Sequence, residues 1–236
     1  MNKSNLKALT IMSLFAVISY CAFAADWPQW RGINRDGKSP ETGLLKKWPA
    51  GGPKELWSVE GLGDGHSSVS VADSVIYITG NKKKEEGRGE IEYMTALDLE
   101  GNIKWQKPYG EAWNRSYSES RSTPTINDGY AYAATGMGEL VCLDIKTGEK
   151  VWSKDSIIER KQYGHWGYAE SPLVVDDKVI QTPGSKTATM IAYDKKTGEK
   201  IWASESLGDK GAYCSPIIVE RGGKKIIIVS VEKHVI

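Results

Sequence analysis

The stretch Ala192-Tyr193-Asp194-Lys195-Lys196-Thr197-Gly198-Glu199-Lys200-Ile201-Trp202 decides the fold, because the chain says it three times. Cys142-Leu143-Asp144-Ile145-Lys146-Thr147-Gly148-Glu149-Lys150-Val151-Trp152 is the same phrase. Ala96-Leu97-Asp98-Leu99-Glu100-Gly101-Asn102-Ile103-Lys104-Trp105 is a copy one residue shorter and without the threonine, so its turn is expected to differ. The three tryptophans stand 47 and 50 residues apart, and Trp57, 48 residues before Trp105, reads as the end of a degenerate first copy. A period near 50 specifies a radial array of small sheets or a solenoid rather than one undivided core.

A second landmark precedes each phrase. Thr123-Pro124-Thr125-Ile126, Ser171-Pro172-Leu173-Val174 and Ser215-Pro216-Ile217-Ile218 each set a hydroxyl residue and a proline before an apolar run, and Ser68-Val69-Ser70-Val71 reads as the first copy. Turn residues follow, then a second short strand (75–79, 130–134, 178–182, 225–231), a third leading into the Asp, and a fourth ending in Trp. Outside the N-terminal segment no helical period emerges. The expected fold class is all-β, a β-propeller of four-stranded antiparallel blades with about four blades present. Within the phrase, Gly148 and Gly198 take the positive φ of the hairpin, and the Asp carboxylate receives backbone donors of the turn. The indole then packs between neighbouring blades. Asp98, Trp105, Asp144, Gly148, Trp152, Asp194, Gly198 and Trp202 are therefore read as structural docking residues.

These residues give the chain a family resemblance. The phrase Ala-x-Asp-x-x-Thr-Gly-x-x-x-Trp at this spacing resembles the tryptophan-docking motif of the pyrroloquinoline-quinone-like (PQQ-like) β-propeller repeat. Quinoprotein alcohol dehydrogenases and the lipoprotein of the outer-membrane β-barrel assembly machinery share that motif. The resemblance covers roughly Asp26 to Ile236, and Asp26-Trp27-Pro28-Gln29-Trp30-Arg31-Gly32-Ile33-Asn34-Arg35-Asp36-Gly37 looks like the start of secreted bacterial members. It implies a ring of seven or eight blades. At about 48 residues per blade, the chain is expected to stop before closure, with C-terminal blades still needed.

The N-terminus speaks to compartment. Lys3 and Lys7 precede an apolar stretch ending in Ala22-Phe23-Ala24, the pattern of a signal peptide over 1–24. Residues 25–55 form an N-terminal extension and 56–236 the repeats. A periplasmic or secreted bacterial protein is expected. Tyr20 before Cys21 argues against lipidation there. No later segment is apolar enough to span a membrane. The chain carries 31 Lys and Arg against 30 Asp and Glu, which argues against nucleic-acid binding. Cys142 and Cys214 fall in different blades and are expected to stay unbridged. The chain has neither an adjacent Cys-Cys pair nor a Cys-x-x-Cys-His haem site.

The chemistry-bearing residues gather at one phase of the repeat, in the loops that feed each first strand. Binding residues characteristically sit on loops held by a rigid scaffold. The candidate ligand-binding set is His66, Asn114, Arg115, Glu119, Arg121, His165, Trp166, Tyr168, Glu170 and Tyr213. The preferred reading is a binding or scaffold module with a protein or glycan ligand at this funnel and no cofactor. The alternative, implied by the resemblance, is a dehydrogenase of alcohols or sugars that depends on PQQ and Ca²⁺. There Trp166 stacks on the quinone, Arg115 or Arg121 pairs its carboxylates, and Glu119 or Glu170 binds metal with Asn114. No catalytic residue is assigned, and His66, His165 and His234, in different blades, are read as satisfied or solvated rather than metal-bound.

Overall fold

The hairpin turns hold as their residue types require. In the second and third copies Asp144 Oδ1 accepts from the amides of Lys146 and Thr147 (both 2.9 Å), and Asp194 Oδ1 accepts from those of Lys196 (2.9 Å) and Thr197 (2.8 Å). Each threonine hydroxyl adds a bond to the same oxygen at 3.1 Å. The shorter copy reaches the same end differently. Asn102 donates its amide to Asp98 Oδ1 (2.8 Å) and its side-chain Nδ2 to Oδ2 (2.9 Å), taking the place of the missing threonine.

Around these turns the computed structural model, which describes residues 25–155 and 166–236, builds a row of antiparallel sheets with no helix among the described residues. The first sheet runs β1 (Ser70–Ala72), β2 (Val75–Lys83), β3 (Glu90–Leu97), β4 (Ile103–Glu111). The second holds β5 (Thr125–Asn127), β6 (Tyr130–Ala134), β7 (Glu139–Asp144) and β8 (Lys150–Asp155). The third holds β9 (Leu173–Val175), β10 (Lys178–Gln181), β11 (Ile191–Asp194) and β12 (Lys200–Ala203), and a fourth pairs β13 (Ile217–Arg221) with β14 (Lys224–Ile228). Each four-stranded sheet is a meander in chain order, so one period is one blade, and the chain is an incomplete propeller of about four blades. The proposed signal peptide, Cys21 and His165 lie outside the described residues. Cys142 and Cys214 are both free thiols.

Two ladders join the blades. On the outside, the indoles of the first two blades reach the next blade's turn. Trp105 Nε1 donates to the Ile145 carbonyl (2.9 Å) and Trp152 Nε1 to that of Lys195 (3.2 Å). The rings close over Gly148 and Gly198, where an added Cβ would meet them at 2.6 and 2.8 Å. Inside each blade the same rings meet a tyrosine, Tyr77 for Trp105 (centroids 6.1 Å) and Tyr132 for Trp152 (6.0 Å). A small residue stands opposite each tryptophan on the third strand: Ala96, Cys142 and Ala192 face Trp105, Trp152 and Trp202.

On the inside, the Ser/Thr-Pro landmark forms the second ladder. The amide of Ser68 donates to Thr123 Oγ1 (3.0 Å), that of Thr123 to Ser171 Oγ (3.0 Å), and that of Ser171 to Ser215 Oγ (2.8 Å). Thr125 Oγ1 donates to the Pro172 carbonyl (2.6 Å), and Ser70 Oγ bonds the Pro124 carbonyl in the same way. A proline has no N–H to spend, so its carbonyl and the preceding hydroxyl carry the link.

The N-terminal segment crosses this inner ladder. Trp27 exchanges both backbone bonds with Val71 of β1 (2.8 and 2.9 Å), the Pro28 carbonyl accepts from Ile126 of β5 (2.7 Å), and Arg35 Nη2 donates to the carbonyls of Ser171 (2.8 Å) and Pro172 (3.1 Å) before β9. Residues 27–35 thus strap the inner edges of three blades together. Arg35 is buried, and burial lowers its guanidinium to about 10 against the opposing pull of Glu170.

Candidate functional site

Loops that feed four different first strands meet at one mouth of the array. His66 comes from the loop before β1, Tyr117 and Arg121 from that before β5, Trp166 and Ala169 from that before β9, and Tyr213 from that before β13. Together they line a cavity of 410 Å³. The rings of Trp166 and Tyr213 stand 5.6 Å apart at 49°, forming a cleft rather than a flat shelf. Tyr117, Trp166 and Tyr213 are all exposed, the tyrosine of the second blade most of all at 67%. A second cavity of 420 Å³ continues from Trp166 and Tyr213 toward Lys210 and Glu232. At the rim His66 Nε2 lies 3.7 Å from Glu119 Oε2.

Of the residues singled out in the sequence, His66, Arg121, Trp166 and Tyr213 line the mouth, and Glu119 pairs with His66 beside it. Tyr168 and Glu170 are buried below it instead. The Tyr168 hydroxyl donates to Glu170 Oε2 (2.7 Å), and the Thr182 amide lies 3.1 and 3.0 Å from the two carboxylate oxygens. Asn114 and Arg115 border a separate cavity of 480 Å³ with Glu111 and Met137, where the Arg115 guanidinium lies 5.4 Å from the Trp113 ring centre. Tyr117 was missed as a candidate, although it sits in the same loop as Arg121 and its exposure marks it.

A second buried carboxyl, Glu92 of β3, also escaped the sequence reading. It accepts from the Gly136 amide (2.6 Å), from Ser120 Oγ (3.1 Å) and from the Tyr109 hydroxyl. Burial pushes Glu92 up to about 7, with Tyr109, Gly136, Ser120 and the nearby Arg121 pulling it back. Glu170 is likewise raised to about 7 by burial against the bonds from Tyr168 and Thr182. Each acid lies beneath a mouth loop and holds it from within: Glu92 through Ser120, Glu170 through Tyr168.

The groups that the resemblance offers for a quinone and Ca²⁺ are not gathered. Asn114 and Arg115 border one cavity, Arg121 and Trp166 another, and the Glu170 carboxylate is taken up by Tyr168 and Thr182. Among the described residues no three His, Cys, Asp or Glu side chains stand together as a metal cage. Among the described residues this donor set is not assembled at one place.

Four-stranded blades linked by indoles outside and Ser/Thr-Pro hydroxyls inside define a β-propeller of repeated units. A family model described as outer membrane protein assembly factor BamB matches residues 41–155 and 90–230, and the chain belongs to this PQQ-like propeller repeat family. No curated protein matches it. Among solved structures, quinohemoprotein alcohol dehydrogenase from Comamonas testosteroni is 21% identical with a TM-score of 0.49, over 77% of this chain and 28% of its own. BamB from Moraxella catarrhalis is 16% identical with a TM-score of 0.44, over 70% and 54%. A europium-containing methanol dehydrogenase is 21% identical with a TM-score of 0.42, over 59% and 24%. The chain spans about a quarter of the dehydrogenases' length and about half of that BamB. No helix among the described residues is long and apolar enough to cross a membrane.

Proposed function

We propose that this propeller is an exported binding module that takes an extended segment of a partner protein at the aromatic mouth. One observation carries the reading: loops of four blades deliver three exposed aromatic rings, with Arg121 and His66, to a single cavity. Trp, Tyr and Arg are the anchors that dominate protein interfaces, since they bury much area for few rotatable bonds. The tilt between Trp166 and Tyr213 suits a side chain inserted between rings more than a sugar laid flat across them. Lys210 with Glu232 at 3.9 Å and the carboxylate of Glu119 beside the His66 ring give the rim a mixed polarity that suits a polypeptide. The signal-like residues 1–24 support a periplasmic or secreted setting.

The test is selection of peptides from a displayed library, followed by calorimetric titration of the winners. Trp166→Ala and Tyr213→Ala are expected to weaken binding by about tenfold or more with unchanged melting. Two results would overturn the proposal: binding confined to a glycan array, or Ca²⁺-dependent uptake of the quinone with substrate-driven dye reduction.

A further inference from the structure

The mouth loop from Trp113 to Arg121 holds its tip in a strained shape. Tyr117 has a positive φ of 49°, the left-handed region where a Cβ crowds the backbone. The other non-glycine residues with positive φ among the described residues are of a different kind. Asp73, Ser74, Asp128 and Asp176 stand in the turns between first and second strands, where a short polar side chain bonds locally and tolerates that conformation. Arg31 and Arg35 belong to the strap across the blades. Tyr117 is the one aromatic among them, and it is exposed, so burial of its ring does not offset the strain. Its neighbours are held instead. The Ser116 carbonyl accepts from Trp113 Nε1 (2.9 Å) and Arg121 Nη2 (3.4 Å), and the Ser118 carbonyl accepts from Nδ2 of Asn81, buried in β2. Trp113 is buried too, and added Cβ atoms on Gly136 and Gly167 would each meet it at 2.7 Å. Gly167 follows Trp166, so the root of one mouth loop rests directly on the other. With a carbonyl fixed on either side, the surrounding structure keeps residue 117 in a conformation it would not choose.

We infer that Tyr117 is a specificity-determining residue of the mouth, its ring held out in advance to clasp a bulky apolar side chain of the bound segment against Trp166 and Tyr213. The inference rests on the reading of the mouth as a peptide site and names what that site selects. Tyr117, Trp166, Ala169 and Tyr213 supply the apolar part of the cavity wall. Arg121 and Glu119 oppose one another beside it, so the cavity holds no lone counter-charge for an inserted lysine or aspartate. A ring already fixed in its working position has little freedom to lose when the segment arrives, which strengthens binding without adding a contact. The chain gives up stability at residue 117 for that readiness.

The test compares Tyr117→Ala and Tyr117→Gly in the full chain, by urea unfolding and by calorimetry with peptides selected on the unaltered chain. Glycine adopts positive φ freely, so Tyr117→Gly should raise the urea midpoint by roughly 0.5 M. Tyr117→Ala keeps the strain and should leave the midpoint nearly unchanged. Both variants should bind the selected peptides about tenfold or more weakly. A gain in stability together with a loss of binding is a result that a merely structural tyrosine would not give. The selected peptides should share a bulky apolar residue, and exchanging it for lysine should weaken binding to the unaltered chain by a similar factor. An unchanged or lowered midpoint for Tyr117→Gly would overturn the inference, as would full-strength binding of the lysine peptide. Peptides that bind Tyr117→Ala as tightly as the unaltered chain would overturn it while leaving the mouth a peptide site. A selection that returns no binding peptide would overturn both readings together.

Discussion

The Trp152 ring occupies the space that any side chain on Gly198 would need, with only 2.8 Å between Cδ2 and the position of an added Cβ. One residue of the repeated phrase is thus glycine for two reasons, a φ of +70° and a neighbour's indole. The two can be separated. Gly223 has nearly the same φ, +72°, with nothing within 4 Å of its Cβ position. Gly223→Ala should cost only the left-handed backbone strain, about 1–2 kcal/mol. Gly198→Ala should cost about 1–3 kcal/mol more, because the indole must move. Urea unfolding of both variants checks this, and equal losses would show that the ring yields freely.

Trp152→Ala removes a buried ring that bridges two blades and should destabilise by about 3–5 kcal/mol. Trp166→Ala, at a half-exposed site, should change stability by less than about 1 kcal/mol. Thermal melts of the pair tell a ladder residue from a mouth residue, and similar losses would contradict the assignment of Trp166.

The inner ladder predicts a different kind of loss. Ser171→Ala deletes the oxygen that receives the buried Thr123 amide and leaves that donor without a partner, at about 1–3 kcal/mol. Ser171→Thr keeps the oxygen and should recover most of the stability. Denaturant midpoints of the two variants decide it.

Glu92 and Glu170 make stability depend on pH. Each ionises at about 7 in the folded chain against an ordinary 4.5, so the native state holds more protons than the unfolded state between those values. The stability they contribute is fully present below 4.5 and is lost as pH rises through 7. Between pH 5 and pH 8 the unfolding free energy should drop by an amount on the order of a few kcal/mol. Glu92→Gln and Glu170→Gln should each flatten that slope. The turn carboxylates act in the opposite sense at the acid end. The Asn102 side chain holds Asp98 low, and the Thr197 amide does the same for Asp194, so both lose their benefit on protonation.

How much of this was legible follows from what repeats. The phrase ending in Trp152 and Trp202 disclosed turn and strand order because each recurs at fixed spacing. Ser-Pro disclosed the first strands for the same reason. Asn102 standing in for a threonine was not readable, since only the turn's geometry shows that its amide and side chain both reach Asp98. At the mouth, phase within the repeat grouped His66, Arg121, Trp166 and Tyr213, which line one cavity. It could not tell an outward side chain from an inward one, so Tyr168 and Glu170 were grouped with residues they lie beneath. The contact of Arg35 with Ser171 and Pro172 spans 136 and 137 residues and occurs once, so no periodicity announces it.

That single contact reverses the order of events in the life of the chain. Residues 27–35 leave the ribosome before any blade they touch, yet their seat consists of Val71, Ile126 and the carbonyls ahead of β9. A segment made before the sheets it touches can therefore take its full seat only after them. It waits for three sheets to form and then records, in one buried guanidinium, that they have arrived in register.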